Sequence, residues 1–266
     1  LRHPSGRRVL SAHGTDVTFP KRGGLRGWLY GLYLRCGALL TRPVTVIANS
    51  GATAAETMRY GYSDVHVVPL AADTGPVPAP DHGPFRTLLF SGRLIPLKGA
   101  SWFVREVLPL LPEDITLDVA GTTWDAEERA ALDVPRVRYL GRIDQQRLWA
   151  AHAGALAVVI PNVPVPTGQF EGFGLVAVEA ASAGGVVLAA RHGGLADAVI
   201  DGQTGFLLAP GDAPGWAAKI TEIAGWTADA RAGFIDRAQA ALAEHFTWAR
   251  VARETADLYA GARHDR

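Results

Sequence analysis

Residues 156–189 read LAVVIPNVPVPTGQFEGFGLVAVEAASAGGVVLA, and the order of pieces in this stretch decides the fold. An apolar run, 156–160, stops at Pro161 and gives way to a loop carrying Pro164, Pro166 and Gly168. Glu171-Gly172-Phe173-Gly174-Leu175 then turns into an alanine-rich helix, and a second apolar run follows Gly184-Gly185. Strand, loop, helix and strand in that order predict a parallel βαβ unit. A helix start offers unsatisfied N–H groups and a positive dipole end, which suits a phosphate or an electron-rich sugar oxygen. Glu171 falls just before that start and Glu179 about a turn inside it, so both can face one ligand. Carboxylates accept hydrogen bonds from neighbouring hydroxyls, so a pair of them suits a polyhydroxylated ligand. A solvated helix face would also explain two glutamates at this spacing. The Gly-Phe-Gly between them favours the site, because glycines at a strand-to-helix turn mark close backbone approach.

Working outward, short apolar runs alternate with helical patterns, which predicts α/β layers with largely parallel sheets. Strands are expected at 8–12, 44–48 and 65–70, with an amphipathic helix at 25–40 and a short one at 52–60. Residues 74–84, TGPVPAPDHGP, hold four prolines and two glycines and make the best linker in the chain. Strands at 87–90, 116–119, 137–140, 155–160, 186–189 and 205–208 follow. The expected organisation is a first unit at 1–73, a linker at 74–86, a second unit at 87–246 and a closing helix within 247–266.

Phe90-Ser-Gly92-Arg93-Leu-Ile-Pro-Leu-Lys98-Gly99 follows a strand and enters a helix. Its two cations can converge on a diphosphate, the arginine as a planar fork and the lysine as a point charge; a pair of surface cations is the alternative. Asp118-Val-Ala-Gly121 closes a strand on a glycine that either admits a ligand or simply makes a turn. Arg138-Tyr-Leu-Gly141-Arg142-Ile143 ends another, and Arg142 also fits a solvated surface position. In the first unit His13-Gly14 ends a strand, Asn49-Ser50 precedes a helix as a capping pair, and Asp73 follows Val67-Val-Pro-Leu-Ala-Ala. Residues 191–197, RHGGLAD, read as a tight structural loop in which His192 is a loop residue.

These motifs, in this order, resemble the retaining GT-B glycosyltransferases of family 4, whose signature runs EGFGLVxxEAMAxGxPVVA. The chain departs from it chiefly at Gly185, where proline is common. The resemblance spans nearly the whole chain and is densest over 90–212. It implies a GT-B fold: two facing Rossmann-like domains with parallel sheets, the first incomplete, its early strands lying before Leu1 (the only methionine is Met58). It implies that Arg93 and Lys98 hold the donor diphosphate and that Glu171 binds sugar hydroxyls. The amides of Phe173, Gly174 and Leu175 would meet sugar and phosphate, and Glu179 the ribose. Gly92 and Gly121 would admit the nucleotide, Arg142 and Ile143 would meet the base, and His13 the transferred sugar. The implied partners are a nucleotide-sugar donor and a saccharide or lipid-linked acceptor. No cofactor and no metal are expected, as no Asp-x-Asp occurs and no His/Cys/Asp cluster has metal spacing. Three rivals remain: a glycoside hydrolase using paired carboxylates, an epimerase of the same shape, and a non-catalytic nucleotide-sugar-binding fragment.

Composition narrows the remaining classes. With 266 residues, 48% hydrophobic and 20% charged, the chain suits a globular protein of one large or two ordinary domains. Its formal net charge is zero, which argues against bulk nucleic-acid binding. Cys36 is the single cysteine, so no internal disulfide forms, and its apolar surroundings predict a buried thiol. No signal peptide or bilayer-length apolar run is present, and a cytoplasmic place is expected. Lys21, Arg22, Arg26 and Arg35 interleave with Trp28, Tyr30 and Tyr33; a peripheral membrane contact through 21–35 is weighed against an ordinary half-buried helix.

Overall fold

The structure, a computed structural model, describes residues 8–73 and 85–261; most of the expected linker lies outside them. In the first unit β1 (Arg8–Ala12), β2 (Val44–Ala48) and β3 (Asp64–Val67) form a parallel sheet in the order β1-β2-β3. The central β2 is buried at all five positions, as expected of a parallel strand covered on both faces. The helices Gly24–Leu40 and Gly51–Arg59 make the crossovers. β3 is shorter than the expected 65–70: Val68 N still donates to Ala48 O at 2.8 Å, but Pro69 has no N–H to continue the ladder.

The second unit holds β4 (Thr87–Ser91), β5 (Thr116–Ala120), β6 (Val137–Gly141), β7 (Val158–Ile160), β8 (Val187–Ala190) and β9 (Phe206–Leu208), all parallel, in the order β6-β5-β4-β7-β8-β9. Counted from its own first strand this is the 3-2-1-4-5-6 order of a Rossmann sheet. Leu88, Val158, Val187 and Leu188 are fully buried in its core, and Trp216 seals one face with its ring edge against Phe103 at 6.1 Å. Truncating a tryptophan in such a place costs about 3–5 kcal/mol. On the other face Arg231 is buried and donates to Ala155 O at 2.6 Å and Leu156 O at 2.9 Å, with its guanidinium over Phe85. Burial pulls its pKa down to about 10, which still leaves it charged at neutral pH.

The closing helix, Trp248–Ala260, is capped by Thr247 and packs on the first unit. Leu258 is buried with Ile47 and Val68, and Arg250 donates to Pro69 O at 2.5 Å. The units also meet directly, through Thr53 Oγ1 donating to Gly172 O at 3.3 Å and Gly51 N donating to Asp197 Oδ2 at 3.1 Å.

Candidate active site

The sheet order creates the site. The chain leaves β4 toward β5 on one side and returns as β7 on the other, so the loops after β4 and β7 diverge and open a crevice at the strands' carboxyl ends. Arg93 lies two residues past β4, and Lys98 closes the short helical turn Pro96–Lys98. The proline-rich loop after β7 carries Glu171 back over them. Lys98 Nζ pairs with Glu171 Oε2, with side chains only 14% and 22% exposed. Arg93, Lys98, Glu171 and Gly172 line a cavity of about 440 Å³, and Thr15, Thr18 and Arg22 of the first unit form its facing wall.

The turn at 171–175 is built by close backbone contacts. A Cβ on Gly172 would stand 2.2 Å from His13 O, so the two units meet here backbone to backbone and only glycine fits. Gly174 takes the left-handed conformation (φ 98°, ψ 52°) and launches the helix Leu175–Ser182 without any side-chain cap, leaving its first amides free for a ligand. Gly194 N donates to the main-chain Glu171 O at 2.8 Å, so the 191–197 loop braces the backbone of the turn at Glu171. Asp197 in that loop reaches Gly51 N across the units; burial raises its pKa and the Gly51 hydrogen bond opposes the rise. The half-buried His192 has a lowered pKa from burial and an unpartnered Nδ1.

The other expected site residues scatter around this cavity. His13 is exposed; its main chain meets Gly172, while its side chain is not part of the cavity wall. Glu179 sits in the second turn of its helix, half-buried, and burial raises its pKa; among the described residues no side chain pairs with it. Phe173 is 2% exposed and its ring packs near Phe246, so only its main chain is available to a ligand. Leu175 is exposed at the helix start. Gly121 is required by the protein itself, since a Cβ there would stand 1.7 Å from Gly92 O. Arg142 is exposed beyond β6 and Ile143 lines a separate groove with Asp118 and Arg138. Ser50 caps the helix Gly51–Arg59 by accepting from Thr53 N at 3.1 Å, and Asn49 Nδ2 donates to His13 O. Asp73 is exposed and stands apart from the cavity wall.

Two expectations are corrected. Cys36 is exposed, because the helix Gly24–Leu40 turns that side outward. Lys21 faces the cleft rather than outward: it pairs with buried Glu56 at 2.8 Å, donates to Gly168 O at 3.2 Å and lies over Phe170 at 5.3 Å. Sequence reasoning also missed Trp124. Past the ends of β4 and β5, Leu94 N donates to Thr122 O at 2.9 Å and Trp124 N to Leu94 O at 3.3 Å. That short ladder lays the Trp124 ring against the Arg93 guanidinium, 5.2 Å from its centroid. A tryptophan three residues past a strand-end glycine was the available signal.

Among the described residues no three His, Cys, Asp or Glu side chains converge as metal ligands, and no helix is long and apolar enough to cross a membrane. The glycogen synthase of Mycobacterium tuberculosis (strain ATCC 25618 / H37Rv) is 33% identical over 244 residues, covering 86% of this chain and 54% of that protein. The D-inositol 3-phosphate glycosyltransferase of Streptomyces scabiei (strain 87.22) is 36% identical over 197 residues, covering 66% and 42% respectively. The chain thus spans about half the length of the curated relatives it matches. The structure of Anabaena Alr3699/HepE in complex with UDP and glucose superposes with a TM-score of 0.75 over 96% of this chain and 72% of that one, at 22% identity. That likeness is one of fold, and the fold is GT-B. The sequence profile of the glycosyl transferases group 1 matches residues 85–225, the stretch that carries Arg93, Lys98, Glu171 and Glu179. The chain belongs to that family, the glycosyl transferases group 1.

Proposed function

We propose that this chain forms the donor site of a retaining, family 4 glycosyltransferase that moves a hexosyl unit from a nucleotide-diphosphate sugar to a saccharide or lipid-linked acceptor. Cell-surface polysaccharide or glycolipid synthesis is the setting. The observation that carries the reading is the convergence of Arg93, Lys98 and Glu171 on one cavity between the two units, at the switch point of the second sheet. The named activities of the two relatives and the UDP and glucose of the Anabaena structure support it.

In this reading the diphosphate lies between Arg93 and Lys98. As the bond from the anomeric carbon to the diphosphate oxygen breaks, negative charge grows on that oxygen, and the two cations stabilise it in place of a divalent metal. Lys98 has three N–H donors, so it can hold Glu171 and a phosphate oxygen together. Glu171 accepts hydrogen bonds from the sugar hydroxyls. Glu179, half-buried and unpaired, takes the ribose hydroxyls, whose donation favours its charged form. The acceptor oxygen attacks the anomeric carbon from the face the diphosphate leaves, and the departing phosphate takes its proton. No protein base is needed.

Calorimetric titration with UDP, GDP and ADP, alone and as their sugars, tests the reading. One series binds, and Arg93→Ala weakens it at least tenfold. Unchanged affinity in that variant contradicts the diphosphate role. Retention is read separately from the anomeric proton of the product by NMR.

A further inference from the structure

We propose that the outward face of the helix Gly24–Leu40 docks on an anionic lipid surface. Leu25, Trp28, Leu29, Leu32, Tyr33 and Leu40 are between 43% and 81% exposed. At about 100° per residue these six fall within an arc of about 140°. The opposite side of the helix, at Gly27, Leu34 and Ala38, is buried against the protein. An exposed apolar face of this size on a folded unit marks an interaction site.

Its margins identify the partner. On the same wheel Trp28 and Tyr33 are the outermost apolar residues, one at each edge, and Arg35 and Arg26 stand just beyond them. Apolar in the middle, aromatic rings at both edges and cations outside is the arrangement that seats a helix at a headgroup boundary. No acidic residue occurs between Asp16 and Glu56 in the sequence; the acid of this region, Glu56, pairs with Lys21 and Arg59, and among the described residues neither Arg26 nor Arg35 forms a salt bridge. Their charge matches lipid phosphate at both margins. An apolar protein partner would need the leucines and not the flanking cations. The helix has 17 residues, about 25 Å at its usual rise, so it lies on a bilayer rather than crossing it. Lys21 takes no part, being held in the cleft. The proposal is independent of the donor site, since docking requires no nucleotide.

Cys36, the single cysteine, is exposed near the middle of this arc and can carry an environment-sensitive fluorophore. The labelled chain is mixed with vesicles of phosphatidylcholine, with and without phosphatidylglycerol, and followed by dye emission and co-sedimentation. The dye is expected to shift to the blue and the chain to sediment with the phosphatidylglycerol vesicles, with added salt reversing both. Arg26→Glu/Arg35→Glu weakens partitioning by about thirtyfold or more, from about fivefold per arginine. Leu25→Ser/Trp28→Ser abolishes it, with the far-UV circular dichroism unchanged in both variants. No sedimentation with phosphatidylglycerol vesicles overturns the proposal. Equal binding to phosphatidylcholine alone overturns it too, as does a dye shift that grows with protein concentration when no vesicles are present, which would mean that a second copy covers the face.

Discussion

Replacing Lys98 by methionine separates its pairing with Glu171 from the diphosphate binding proposed for it. The substitution leaves Glu171, 22% exposed, facing the cavity without its partner. Breaking a fully buried pair costs about 3–5 kcal/mol, and the water that reaches Glu171 reduces this to about 1–2 kcal/mol. In a chain of this size that lowers the melting temperature by about 2–8 °C. In the proposed donor site Lys98→Met also removes a charge-assisted hydrogen bond to the diphosphate, about 1.5–3 kcal/mol, which predicts roughly 10- to 100-fold weaker binding. Adding Glu171→Gln discriminates between the two effects. The Lys98→Met/Glu171→Gln chain, with no charge left unpaired, recovers most of the melting temperature in differential scanning fluorimetry. Its affinity for the nucleoside diphosphate stays low in calorimetry, because nothing replaces the ammonium. If the double variant binds as tightly as the unchanged chain, Lys98 serves only to neutralise Glu171, and the diphosphate role is refuted.

Trp124→Ala frees the Arg93 guanidinium from the ring that holds it; an exposed cation–π contact of about 0.5–1 kcal/mol predicts two- to fivefold weaker nucleoside diphosphate binding, with Trp124→Phe close to unchanged. Glu179 has a folded-state pKa raised by burial above its ordinary 4.5, so its carboxylate costs stability once the pH exceeds that raised value and nothing below 4.5. Glu179→Gln therefore raises the melting temperature at pH 7, and the gain vanishes in acid; a gain that persists in acid refutes the assignment. His152, 1% exposed with Nε2 3.2 Å from Ser91 Oγ, is pushed down to about 4 by burial. The unfolded chain binds this proton first, so about 3 kcal/mol is lost as the pH falls from 6.5 to 4. Urea titrations of His152→Gln across that range should show a flatter acid limb.

The quoted stretch is legible because each of its signals is local. Pro161 ends a strand, Gly174 needs a left-handed backbone, and alanines continue the helix that follows, so neighbours alone decide the outcome. The closing helix was legible for the same reason, with Thr247 capping it. Where β3 ends was equally a one-residue matter, the missing N–H of Pro69, yet the apolar run continues past it and hydropathy alone overshoots. The outward turn of Cys36 and the inward turn of Lys21 were not legible. Which side of the helix Gly24–Leu40 meets the protein is set by close packing at Gly27, Leu34 and Ala38, and a helix apolar on both sides does not announce its buried one. Lys21 lies before that helix and turns inward to Glu56 and to Gly168 O, partners distant in sequence.

Taken alone, the chain's residues determined an α/β protein, the parallel repeat of its second unit, and the chemical types of the site: two cations, two carboxylates and a glycine turn. Only the tertiary structure decided which of them meet. Lys98 and Glu171 are 73 residues apart and become partners because β7 lies beside β4; Glu179, nearer to Glu171 in sequence, stands outside the cavity wall. Trp124 reaches Arg93 because β4 and β5 pair in register and their ladder runs on past the sheet. Sequence spacing controls geometry only within one helix or strand, whereas strand order sets distances between elements, and it is the burial of both sheet faces that selects that order.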